Sequence, residues 1–108
     1  MLSLRMRWNR MVDTAITNGR VVTERAVTDA DVGVTDGRIT AITAPGTLHT
    51  TATDVIDASG RLVLPGFIDS HVHVNLELGE YTTTDEMSDL TRAAAYGGVT
   101  TVIPFAVP

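Results

Sequence analysis

The residues best suited to chemistry are His71 and His73, two of the three histidines in the sequence, with Asp69 two positions earlier. Side chains alternate across a strand, so residues two apart leave it on the same side. A strand over residues 67–74 would project both imidazoles together, with Val72 facing the opposite layer. Two neutral imidazoles fixed on one face can occupy adjacent positions around a divalent cation such as Zn²⁺. Two ligands do not complete such a site, and a histidine pair at this spacing also arises by chance. Asp69 shares the face and lies deeper. Its carboxylate could orient an imidazole or accept backbone or hydroxyl hydrogen bonds, and both roles stand open.

The surrounding residues are of types that would hold such a pair in place. Phe67, Ile68, Val72 and Val74 favour strands, Pro65-Gly66 breaks the chain before them, and Leu62-Val63-Leu64 leads in. Upstream, residues 13–64 show the signals of short strands and tight turns. Residues 14–17 and 20–23 flank Asn18-Gly19, and residues 31–35 and 38–42 flank Asp36-Gly37. Both dipeptides supply the positive φ angles of a two-residue hairpin turn, so two hairpins are expected. Residues 44–53, with Pro45-Gly46 and a threonine cluster, predict a loop, and His49 within it reads as exposed and without function. Residues 54–57 and 61–64, joined through Ala58-Ser59-Gly60, predict two further strands. Strands in such quick succession, with no helix between them, predict a small antiparallel β-domain.

Downstream the period changes. Residues 75–81 predict a loop. Thr83-Thr84-Asp85-Glu86 has capping-box spacing, in which the Thr83 hydroxyl accepts the Glu86 amide. Met87, Leu90, Thr91 and Ala94 mark one helical face. Asp85, Glu86 and Asp89 suit the positive end of the helix dipole, and Gly97-Gly98 suits its end. Residues 99–105 are nearly continuous in apolar character, as in a parallel strand buried on both faces, with Pro104 tolerable at its end. Strand, helix and strand would form one right-handed βαβ unit.

The motif Pro65-Gly66-Phe67-Ile68-Asp69-x-His71-x-His73 resembles the first barrel strand of the amidohydrolase superfamily, and the resemblance runs from about Val12 to Pro108. In that family the paired histidines ligate the more buried metal, which implies metal-ligand roles for His71 and His73. Asn18-Gly19-Arg20-Val21-Val22, Asp36-Gly37-Arg38-Ile39 and Val55-Ile56-Asp57-Ala58-x-Gly60 resemble the family's N-terminal β-sandwich, which strands from the far C-terminus complete. The fold class implied is α/β: the start of a metal-dependent (β/α)8 TIM barrel, preceded by a small N-terminal β-sandwich, in a truncated chain. Its parts would be a disordered or spurious lead over residues 1–11, a β-sandwich portion over 12–64, and the first βαβ unit over 65–108.

The resemblance implies hydrolysis of a cyclic amide C–N bond by a divalent metal, Zn²⁺ by expectation and binuclear in the full-length parent. Such a metal pair lowers the pKa of a bridging water and polarises the carbonyl. In the relevant branch a carbamylated lysine bridges the metals, two further histidines hold the second one, and a late aspartate shuttles the proton. All eight basic residues here are arginine, so the lysine is missing. No catalytic residue is assigned within the sequence, and the piece by itself is expected to be inactive. A barrel start without its remaining strands would also expose residues 99–105 and tend to aggregate.

Residues 91–101 are similar to dihydroorotases, but Asn75 stands where those enzymes carry an arginine for a substrate carboxylate. The spacing from His73 to Thr91 matches hydantoinases and dihydropyrimidinases. So do Asp85-Glu86-Met87 and Ile103-x-Phe105-Ala106-x-Pro108, although Pro104 replaces a common aspartate. The expected substrate is a small cyclic amide resembling hydantoin or dihydropyrimidine. The alternatives are a dihydroorotase- or allantoinase-like enzyme, a non-catalytic dihydropyrimidinase-related scaffold, and a free-standing β-rich binding module.

Composition sets the outer bounds. At 108 residues the sequence is far short of the roughly 250 typical of a barrel enzyme, so an N-terminal portion of a longer protein is expected. No cysteine is present, which excludes disulfides and gives secretion no support; a cytoplasmic location is expected. A net charge of −5 argues against a nucleic-acid partner. No apolar run approaches the roughly 18 residues of a membrane span. Arg5, Arg7 and Arg10 open the sequence without the apolar region of a signal peptide. By family analogy alone, the parent would be a homo-oligomer, a tetramer.

Overall fold

The computed structural model describes residues 12–83 and 86–105. The lead expected over 1–11, Thr84 and Asp85 of the capping motif, and residues 106–108 of the second-strand motif lie outside them. The chain divides between Pro65 and Gly66 into two units.

The first unit is one sheet of β1 (Val12–Val22), β2 (Val27–Thr35), β3 (Arg38–Thr43), β4 (Ala52–Asp57) and the short β5 (Leu62–Val63). Its order is β3-β2-β1-β4, with β5 also against β1. The β1–β2 and β2–β3 pairs are antiparallel, whereas β4 and β5 both run parallel to β1. The sheet is therefore mixed, which corrects the antiparallel expectation. The cause is the connection over residues 44–51. It carries the chain from the β3 edge past two strands, so that β4 enters in the direction of β1; parallel neighbours demand such a crossover.

Leu48 secures that crossover. It is fully buried against Val12 and Ala15, and its N–H donates to Oδ2 of the equally buried Asp31 at 3.1 Å.

Asn18-Gly19 is likewise not the hairpin turn expected. The chain continues straight through it as one strand, with the β1–β2 register shifting between Ile16 and Gly19. The positive φ of Asn18, 60°, makes a bulge that bends the strand instead of reversing it. The reversal comes later, at residues 23–26, where the Thr23 hydroxyl accepts the Arg25 and Ala26 amides. Gly19 has no room for a side chain: a Cβ there would lie 2.5 Å from Val63 Cγ2. The bulge also divides the far edge of β1. β4 pairs up to Thr17 and β5 begins at Arg20, with the turn between them matching the bulge. Asp36-Gly37 does form a two-residue turn, with φ angles of 51° and 72°.

One face of this sheet stays open. Val21, Ala30 and Val32 form a small buried cluster with Ile16 and Val63 packed against it. Beside them an apolar groove of about 500 Å³ is lined by Ile16, Val32, Ile39, Ile42 and Val63.

In the second unit β6 (Phe67–Val72), α1 (Met87–Tyr96) and β9 (Val99–Pro104) form a strand–helix–strand unit, with β6 and β9 parallel. β6 stops at Val72, so His73 and Val74 lie past its end rather than within it. Ile103 and Phe105 are half exposed, so β9 carries open apolar surface and is not buried on both faces.

Residues 75–81 are more ordered than the loop expected. β7 (Glu77–Leu78) and β8 (Tyr81–Thr82) form a hairpin around Gly79. Thr83 closes it: its hydroxyl accepts the Leu76 amide at 2.8 Å and its own amide donates to Leu76 O. That use of Thr83 overturns the capping box, and α1 begins after Glu86 with no side-chain cap. Gly97 and Gly98 end the helix as expected, the Gly97 amide donating to Ala93 O and Ala94 O.

Candidate metal centre

Asp69 and His71 lie in the second half of β6, where the register against β9 shifts between Asp69 and Val72, and His73 follows one residue beyond the strand's end. The structure brings the two imidazoles together. Their Nε2 atoms lie 3.1 Å apart, with ring centroids 5.1 Å apart and planes inclined at 64°. In the neutral pair one Nε2–H donates to the other's lone pair. The same convergence fits a shared cation, since two nitrogens on one tetrahedral Zn²⁺ stand about 3.3 Å apart. Both rings are exposed, so neither needs to be unpacked to receive an ion.

Asp69 touches the backbone and not a ring. Its Oδ1 accepts the His71 amide at 3.1 Å, which fixes the main chain from which that imidazole leaves. His49 is an exposed residue in the crossover of the first unit. Among the described residues no group of three or more His, Cys, Asp or Glu could hold a metal ion. The described chain thus offers two imidazoles and no complete ligand set.

Sequence reasoning missed Phe105 as part of this site. It follows the last residue of β9, and its ring packs on both imidazoles: centroids 4.6 Å from His71, and 4.9 Å from His73 with planes 10° apart. The backbone places it there. In the parallel β6–β9 ladder Val72 pairs with Pro104, so the Val72 carbonyl accepts the N–H of the next residue, the Phe105 amide, at 3.0 Å. The signal was an aromatic residue at the C-terminal end of the strand that pairs with β6.

Two family profiles match in succession: urease alpha-subunit, N-terminal domain, over residues 2–61, and the amidohydrolase family over residues 54–106. A D-hydantoinase of Streptomyces coelicolor is 43% identical over 87% of this chain and 21% of its own length. An allantoinase of Bacillus licheniformis is 46% identical over 84% of this chain and 20% of its own. The solved D-hydantoinase (dihydropyrimidinase) from Thermus sp. superposes with a TM-score of 0.78 at 35% identity, over 88% of this chain and 20% of that one. The chain belongs to the amidohydrolase superfamily. Its sheet-rich architecture is that of the matched portion of a hydantoinase structure. This amidohydrolase chain spans about a fifth of the length of the curated relatives it matches. Among its described residues no helix is long and apolar enough to cross a membrane.

Proposed function

We propose that this chain supplies the first two metal ligands, His71 and His73, of an enzyme that hydrolyses a C–N bond in a cyclic amide of the hydantoin or dihydropyrimidine type. The observation that carries this reading is the 3.1 Å approach of the two Nε2 atoms at the C-terminal end of β6. In a (β/α)8 barrel, active sites gather at that end of the strands. β6, α1 and β9 are read as the opening βαβ unit of such a barrel, and the first unit as part of an N-terminal β-sandwich.

Each imidazole would present neutral Nε2 to the cation, for which Zn²⁺ suits a nitrogen-rich set. When bound, the metal supplies Lewis-acid polarisation and a water of lowered pKa. Asp69 keeps the His71 backbone in place through the amide it accepts. Asn75, just after the pair, cannot clamp a substrate carboxylate as an arginine would, which favours a ring without one. The remaining ligands and the proton shuttle must come from residues other than those described. The allantoinase relative, at 46% identity, favours a second reading in which the opened ring belongs to an allantoinase-like reaction.

The test is a chimera in which residues 12–105 replace the matching segment of the Streptomyces coelicolor D-hydantoinase. The folded chimera should retain bound metal and open hydantoin and dihydrouracil rings. His71→Ala or His73→Ala should lower metal content and reduce turnover by at least about 100-fold. A chimera whose metal content and turnover ignore both substitutions would refute the proposal.

A further inference from the structure

Metal-binding histidines are usually oriented by a hydrogen bond from the ring nitrogen that does not face the metal. Among the described residues, neither His71 Nδ1 nor His73 Nδ1 makes such a bond, and the Asp69 carboxylate bonds the His71 amide rather than a ring. What touches both rings is Phe105. It lies nearly parallel to the His73 ring and tilted against the His71 ring, 4.9 Å and 4.6 Å away by centroid. These are offset-stacked and tilted arrangements that aromatic rings favour, and each restricts the rotation of an imidazole about its side-chain torsions.

Its own placement is secured twice. The Phe105 amide is bonded to Val72 O, on the residue between the two histidines, and Pro104 before it has a fixed φ. The ring is thus delivered from β9 to a spot that β6 alone could not fill.

We propose that Phe105 is a positioning residue, whose ring holds the His71 and His73 imidazoles in the mutual orientation that lets both Nε2 atoms address one divalent cation. The proposal rests on the reading of both histidines as ligands. It adds that their convergence is set by a side chain from the next strand, before any metal arrives. An aromatic ring is required at this position; volume by itself does not suffice.

The test uses the 108-residue chain and Zn²⁺ alone, comparing wild type with Phe105→Ala, Phe105→Leu, Phe105→Tyr, His71→Ala and His73→Ala. Without metal, a nuclear Overhauser contact between the imidazole protons of His71 and His73 should be present in wild type and Phe105→Tyr. It should be lost in Phe105→Leu. With metal, Phe105→Ala and Phe105→Leu should bind Zn²⁺ about tenfold more weakly, and Phe105→Tyr as tightly as wild type. If Phe105→Ala fails to fold, the Leu and Tyr variants decide. Wild-type affinity and an intact histidine–histidine contact in Phe105→Leu would overturn the proposal. Failure of the ligand reading looks different: Zn²⁺ affinity would then be unchanged by His71→Ala and His73→Ala.

Discussion

Asn18 Nδ2 donates to Asp57 Oδ1 across 3.0 Å, tying the bulge of β1 to the end of β4. The same oxygen accepts the Ser59 hydroxyl at 2.6 Å and the Ser59 amide at 3.1 Å. One carboxylate thereby fixes the point at which the edge of β1 passes from β4 to β5.

Those donors hold the Asp57 carboxyl below its ordinary value of 3.8, the Ser59 hydroxyl most strongly, then Asn18, then the Ser59 amide. A carboxylate whose pKa is lower folded than unfolded stabilises the fold above the unfolded value and ceases to do so as pH falls through the folded one. Asp57→Ala should therefore unfold at lower urea than wild type near pH 6. The gap should narrow as the pH falls below 3.8 and through the lower folded-state pKa, where wild type loses the contribution. A gap independent of pH would show that the charge of Asp57 plays no part.

Gly19→Ala should destabilise the first unit by roughly 1–3 kcal/mol, because the new methyl meets Val63 Cγ2 at 2.5 Å and Ala58 Cβ at 3.0 Å. Equilibrium denaturation measures this. A neutral result would mean that β5 yields freely.

Leu48→Ala should cost roughly 2–5 kcal/mol, since the side chain is fully buried against Val12 and Ala15. The neighbouring His49→Ala, at an exposed position, should fall within about 0.5 kcal/mol of wild type. Comparable effects at the two positions would contradict the anchoring role given to Leu48.

The open groove of the first unit should bind an environment-sensitive apolar dye and promote association of the isolated chain. Ile39 and Ile42, 68% and 56% exposed, border it. The pair Ile39→Thr and Ile42→Thr should reduce dye fluorescence and aggregation measured by light scattering. Undiminished aggregation would locate the adhesive surface elsewhere.

The strands were largely legible because alternation and turn residues announce them; their partners were not. Asn18-Gly19 and Asp36-Gly37 carry the same positive-φ chemistry, yet one makes a bulge and the other a turn. What separates them is tertiary: Asp57 and Asp31 hold Asn18, and Val63 crowds Gly19. The parallel direction of β4 was hidden for a similar reason, because it depends on Leu48, a single buried residue in a polar loop. The capping box failed because the Thr83 hydroxyl had a competing partner in the Leu76 amide. At the candidate metal centre the two-residue spacing of His71 and His73 was legible, although β6 ends at Val72, between them. Phe105 could not be placed against them without the β6–β9 register, in which Val72 pairs with Pro104.

The central claim is that His71 and His73 grip one ion together through Nε2. The most direct test follows the imidazole nitrogen resonances of the ¹⁵N-histidine-labelled chain during Zn²⁺ addition near neutral pH. The account predicts that the Nε2 signals of His71 and His73 move in concert and saturate at one ion per chain, while His49 stays put. Movement of only one of the two rings, or an equal response from His49, would contradict it.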